Sequence, residues 1–97
     1  MRHQSATANE LARIAELSGL PGESLMRLAS QMGRRELGAG EALDSEGRFG
    51  VVLTGMIRVE GGLLRPGATF SGRVSALTPA TVATCDRKAY EEIRDRA

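Results

Sequence analysis

The sequence predicts a mainly β fold: a roll of short strands flanked by helices. Two observations carry this expectation. Five glycines, Gly40, Gly47, Gly55, Gly67 and Gly72, punctuate the middle of the chain, with short apolar runs between them. Glycine reaches the positive φ of tight turns at little cost, so strand-length runs between spaced glycines read as successive strands and turns. Before Arg34 the apolar residues instead recur at helical intervals, and a change of period marks a change of structure.

Taken in order, residues 1–6 read as a loose tail and 7–97 as a single domain. Thr7-Ala8-Asn9-Glu10 fits a capping box, with Thr7 as N-cap and Glu10 reaching back. Leu11, Ile14, Ala15 and Ser18 share one helical face with Leu17 beside it, and Gly19 ends that helix. A second helix starts near Pro21, which suits a first turn. It carries Leu25, Leu28, Ala29 and Met32, and Gly33 closes it. Arg34 to Leu37 reads as a strand, Gly38-Ala39-Gly40 as a turn, and Glu41 to Leu43 as a short strand. Asp44-Ser45-Glu46-Gly47 is a strong turn signal. Phe49 to Leu53 is a near-continuous apolar run, expected to be a buried strand, and Thr54-Gly55 turns the chain. In Met56 to Glu60, Ile57 and Val59 alternate with charges, which leaves one face wet. Val52 or Leu53, with Ile57 and Val59, should line the inside of the roll. Gly61-Gly62 signals a hairpin. Leu63-Leu64 is a brief strand before the turn Arg65-Pro66-Gly67. Thr69 to Leu77 and Ala80 to Cys85 supply the last strands, separated by Thr78-Pro79. Asp86 then caps a short helix whose apolar face is Ala89, Tyr90 and Ile93.

Composition narrows the function. The 97 residues are 41% hydrophobic and 26% charged, enough for a modest core that buries about 60–65% of the unfolded surface. The net charge of +1 gives no global field to attract nucleic acid or an anionic membrane. No apolar run approaches the roughly 18 residues of a membrane-spanning helix. Met1-Arg2-His3-Gln4-Ser5 lacks the apolar stretch of a secretory signal. A lone cysteine, Cys85, makes no internal disulfide, and a cytoplasmic setting is expected.

Catalytic chemistry finds few groups. His3 is the only histidine and lies in the tail, so neither a metal site nor an activated nucleophile can be assembled around it. Cys85 at a strand end reads as a small buried hydrophobe. No Walker loop occurs. No enzyme, cofactor or metal is expected. Arginines number 12 against one lysine, which fits a GC-rich bacterial genome and solvated strand edges. The doublet Arg34-Arg35 is a candidate bidentate anchor for an acidic partner. Met26 falls off the apolar face of its helix and is expected to be exposed.

Six strings in this order resemble the cyclic-nucleotide-binding domain family. Leu17-Ser18-Gly19-Leu20 and the helix after it resemble its helical lead-in. Arg34-Arg35-Glu36-Leu37-Gly38-Ala39-Gly40-Glu41 resembles its first strand and turn, and Glu46-Gly47 its acidic-glycine turn. Val51-Val52-Leu53-Thr54-Gly55-Met56-Ile57-Arg58-Val59 resembles its central hairpin. Leu64-Arg65-Pro66-Gly67-Ala68-Thr69-Phe70-Ser71-Gly72 resembles the lead into its ligand cassette, and the run from Val74 to Arg87 its final hairpin and helix start. The resemblance covers Ile14 to the C-terminus. It implies a jelly roll, or double-stranded β-helix, with two N-terminal helices and one short C-terminal helix.

The resemblance also implies a loss. Nucleotide-binding members place a Gly-Glu pair, a short helix and an arginine before the final hairpin, so that the acid holds the ribose and the arginine holds the phosphate. Here Arg73 follows Gly72 where Glu would stand, and the hairpin begins at once with Val74. The cassette is expected to be deleted, with Arg73 as a remnant of the phosphate arginine, and cyclic nucleotide is not an expected ligand. The residues after Asp86 are too few for the dimerisation helix and helix-turn-helix of the family's transcription factors. The expected role is a non-enzymatic regulatory or scaffolding module acting by protein–protein contact or self-association. The alternative is a sensor of a small ligand, an anion or a nucleotide-like molecule, that uses the shortened cassette near Arg73. Phe70, Ser71, Gly72 and Arg73, at a mouth left uncovered by the deletion, and Arg34 and Arg35 are the candidate ligand or interface residues.

Overall fold

A computed structural model describes residues 8–96. The expected Thr7 cap and the tail with His3 lie outside these residues. The N-terminal apolar stripe does not form one helix. Helix α1 (Ala8–Leu11) stops after one turn, Ile14 is extended at φ −84° and ψ 119°, and a 3-10 turn spans Ala15–Leu17. The buried residues are Leu11, Ile14 and Leu17, while Ala15 and Ser18 are exposed. Their spacing is three residues, the period of the tighter helix and not of the α-helix. Glu10 pairs with Arg34 across the fold. Helix α2 (Gly22–Gln31) follows Pro21, buries Leu25, Leu28 and Ala29, and ends where Met32 turns extended. Met26 is 65% exposed, as its position off the stripe requires.

Six strands follow: β1 (Gly33–Leu37), β2 (Ala42–Thr54), β3 (Ile57–Val59), β4 (Gly62–Leu64), β5 (Thr69–Ala76) and β6 (Ala80–Asp86); α3 (Arg87–Arg96) comes last. They form one antiparallel sheet in the order β1-β6-β2-β5-β3-β4. The expected turn at Asp44 to Gly47 is instead an irregularity inside the 13-residue β2. Ser45 pairs with Gly72 and Gly50 with Phe70, so residues 46–49 stand against Ser71 alone. Asp44 Oδ1 accepts a hydrogen bond from the Glu46 N–H, and Gly47 takes φ +74°. The turn chemistry is present, but it bends a strand and does not end one.

The sheet is apolar on both faces of β2 and β6. Phe49, Val51, Ala83 and Cys85 face the helices, packing with Leu11, Ile14, Leu17, Leu28, Tyr90 and Ile93. Phe49 and Tyr90 stack with ring centroids 3.8 Å apart and an interplanar angle of 1°, joining β2 to α3. The opposite face carries Val52, Ile57, Phe70, Val74, Ala76 and Val82, with Leu37 and Ala80. Every member of that second core lies on a strand, so the sheet buries it by curling over itself. Val52, Ile57 and Val59 belong to this inner core as expected, but Leu53 packs on the helix side. Alternation along a strand sends neighbours to opposite faces, and Val52 takes the inner position.

Candidate functional site

Strand β5 runs unbroken from Thr69 to Ala76. Its pleat settles the direction of each residue. Phe70, Val74 and Ala76 are buried on the inner face, whereas Ser71 and Arg73 are exposed. The expectation that Phe70 lies exposed at an uncovered mouth is not met. Phe70 is 7% exposed, and its ring lies against Gly50 directly across the strand pair. The aromatic ring fills the interior, so it presents no docking surface. The Gly72 carbonyl accepts a hydrogen bond from Ser45 Oγ, the one buried polar side chain among the described residues.

The six candidate residues do not converge. Arg34 and Arg35 lie on the edge strand β1, three positions across the sheet from β5. Arg34 is half-buried and engaged by Glu10, with its Nε unbonded, and Arg35 lies 3.7 Å from Glu41 with both side chains well exposed. Charges along β1 suit an edge, which they protect against strand addition. Both arginines thus have carboxylate partners within the chain.

Arg73 has different company. It stands opposite Asp44 in the β2–β5 register, with no ion pair among the described residues. Arg58 on β3 stands opposite Ser75, which places Arg58 diagonally beside Arg73. Together with Ala42, Glu60 and Ser75 they line a shallow groove of about 310 Å³ on the outer face. In the sequence Arg58 marks only the wet side of an amphipathic strand. The pairing of β3 with β5 brings it to Arg73, and no local signal announces that register. A second depression, about 200 Å³, lies between α2 and α3 and is lined by Arg27, Gln31, Ala89, Glu92, Ile93 and Arg96.

Among the described residues no group of three or more His, Cys, Asp or Glu could hold a metal, and no helix is long and apolar enough to cross a membrane. Cys85 is buried and free, and burial pushes its thiol up to about 11. At pH 8 only about one thiol in a thousand is then ionised, and the thiolate is the reactive form. Alkylation of Cys85 by iodoacetamide at pH 8 is expected to be negligible in the native protein and rapid in denaturant; fast native labelling would contradict this burial. Because the folded thiol titrates above the ordinary value of 9.0, its contribution to stability is intact below pH 9 and falls as pH rises toward 11.

No family model matches the chain, and no curated protein matches it in sequence. Solved structures do match its fold. The regulatory domain of Toxoplasma gondii PKA, co-crystallised with cAMP, aligns at TM-score 0.77 and 15% identity, over 90% of this chain and 43% of that one. A cyclic nucleotide-binding-like protein from Brucella abortus aligns at TM-score 0.66 and 21% identity, over 91% of this chain and 97% of that one. The regulatory subunit of a cAMP-independent protein kinase A from Trypanosoma cruzi, bound to guanosine, aligns at TM-score 0.74 and 17% identity, over 92% of this chain and 42% of that one. The chain therefore has the cyclic-nucleotide-binding-like fold: a mainly antiparallel β sheet with three helices. It spans less than half the length of the two kinase regulatory proteins.

Proposed function

We infer that this chain is a non-enzymatic regulatory module of the jelly-roll type that has lost ordinary cyclic-nucleotide binding and works by protein–protein contact. One observation carries the reading. Strand β5 is continuous from Thr69 to Ala76, its inward residues are Phe70, Val74 and Ala76, and its arginine, Arg73, points outward. A cyclic phosphate held inside the sheet would need a cation or a nest of N–H groups facing it. The inner core offers aliphatic and aromatic side chains only. The similar proteins named as regulatory domains and subunits support a regulatory role. The reading keeps the module in the cytoplasm, where a single buried cysteine stays reduced.

Thermal melting with added nucleotide tests this. A ligand at 100 times its dissociation constant stabilises by about 2.7 kcal/mol, and each kcal/mol moves a domain of this size by about 4–8 °C. Cyclic AMP and cyclic GMP at millimolar concentration are expected to leave the melting temperature unchanged. A rise of several degrees with either would overturn the loss of binding. The same screen with guanosine and inorganic phosphate decides against a small-ligand sensor, and a rise with either would replace the protein-contact reading.

A further inference from the structure

The sheet is covered unevenly. The packing helices lie against β2 and β6, whereas the outer face of β5, β3 and β4 carries no helix in either core cluster. A sheet face left to water ordinarily carries polar residues, yet apolar side chains stand on this one. The Leu77 N–H donates to the Met56 carbonyl, and the next residues inward, Ile57 and Ala76, are buried on the inner face. Met56 and Leu77 therefore turn outward together. Leu63 stands opposite Arg58 on the same face. Leu63 is 48% exposed and Leu77 is 40% exposed, two of the three large hydrophobic side chains exposed among the described residues.

The charges decide what can cover it. Asp44 stands opposite Arg73, and Arg58 and Glu60 line the same groove as Arg73. A partner of one sign would meet like charge here as often as opposite charge. A second copy brings the same mixture, and the register shows how it fits. Across β2, β5, β3 and β4 one row reads Ala42, Ser75, Arg58 and Leu63. On one side of that row Leu77 lies beside Met56; on the other, the register continues to Arg73 beside Glu60. A two-fold axis parallel to the strands, midway between β5 and β3, exchanges β5 with β3 and β2 with β4. It sets Leu77 on Met56, Leu63 on Ala42, Ser75 on Arg58 and Arg73 on Glu60 of the other copy. Apolar groups then meet apolar groups, and each arginine meets a carboxylate or a hydroxyl. The strands of both copies run in one direction, as aligned sheets pack.

We propose that this face binds a second copy of the chain, the two β5–β3 faces packing together about that axis as a weak, symmetric dimer. This assignment rests on the protein-contact reading and names the partner as the chain itself. Light scattering on the full chain tests it: between about 10 μM and about 1 mM the mass should rise toward that of a dimer. Arg73→Glu and Glu60→Arg are each expected to weaken the pair about tenfold or more, because like charges then face each other at two symmetric places. An equimolar mixture of these two variants should recover association, since the mixed pair again sets acid against base. Leu77→Glu should weaken the dimer, whereas Met26→Glu, at the exposed hydrophobic residue of α2, should leave it unchanged. The proposal is overturned if the wild type stays monomeric at about 1 mM, or if neither charge reversal weakens the pair. It is also overturned if the mixture associates no better than either variant alone, or if Met26→Glu weakens the pair as much as Leu77→Glu does. A monomer without any nucleotide or phosphate stabilisation removes this interface only; a melting shift with cyclic nucleotide removes the underlying reading.

Discussion

Gly55→Ala is expected to lower the melting temperature by about 10 °C or more, the largest effect of any single methyl group added to this chain. Gly55 sits at φ +82° between β2 and β3, and its turn is packed backbone to backbone against the turn between β5 and β6. The Leu77 N–H donates to the Met56 carbonyl at 2.9 Å, the Met56 N–H to Thr78 Oγ1 at 3.1 Å, and the Thr81 N–H to Thr54 Oγ1 at 3.1 Å. A Cβ on Gly55 would lie 2.6 Å from the Ala80 Cα and closer still to the Pro79 carbonyl oxygen. Backbone atoms held by three hydrogen bonds cannot step aside as a flexible side chain would. The left-handed conformation costs a non-glycine residue about 1–2 kcal/mol, and overpacking adds about 1–3 kcal/mol. Gly47→Ala separates the two contributions, since Gly47 has φ +74° but open space around it. It should show the conformational cost alone. Equal melting temperatures for the two variants would show that the turns do not press together.

The order of elements was legible because each signal is local. The stripe Leu25, Leu28, Ala29 and Met32 marked α2, the run Phe49 to Leu53 marked a buried strand, and the doublet Arg34-Arg35 suited a solvated edge. What misled were signals whose outcome depends on distant partners. Asp44 to Gly47 has the chemistry of a turn, yet β5 pairs with β2 on both sides of it and holds it within one strand. Leu11, Ile14, Ala15 and Ser18 fit a helical face, but burial against β2 and α2 selects Leu11, Ile14 and Leu17. At the candidate site, the strand that continues past Gly72 could be read from the chain. The inward turn of Phe70 and the meeting of Arg58 with Arg73 could not, because both follow from register across strands far apart in sequence.

Phe70 supplies the second large effect, through its cross-strand partner. Gly50 faces Phe70 in the β2–β5 register, and a Cβ there would come within 2.5 Å of Cε1 and 2.9 Å of Cε2 of the ring. The ring takes the volume that a side chain at position 50 would need, an aromatic lying over a glycine to restore packing that the glycine lacks. Gly50→Ala is therefore expected to cost about 1–3 kcal/mol, even though its φ is ordinary. Phe70→Leu, which shortens the intruding group, should cost stability in the wild type by opening a cavity, yet offset part of the loss in Gly50→Ala. The double variant should be more stable than the sum of the two changes implies, by more than the about 0.5 kcal/mol scatter of independent sites. Additive losses in urea melts would mean that the ring does not fill the glycine's place. Phe70→Glu makes the complementary point. At a surface mouth the charge would be tolerated; inside a core of Val52, Val74 and Val82 a lone carboxylate has neither water nor partner. That variant is expected to unfold, and a folded, soluble Phe70→Glu protein would return Phe70 to the surface and reopen the interior of the sheet as a binding site.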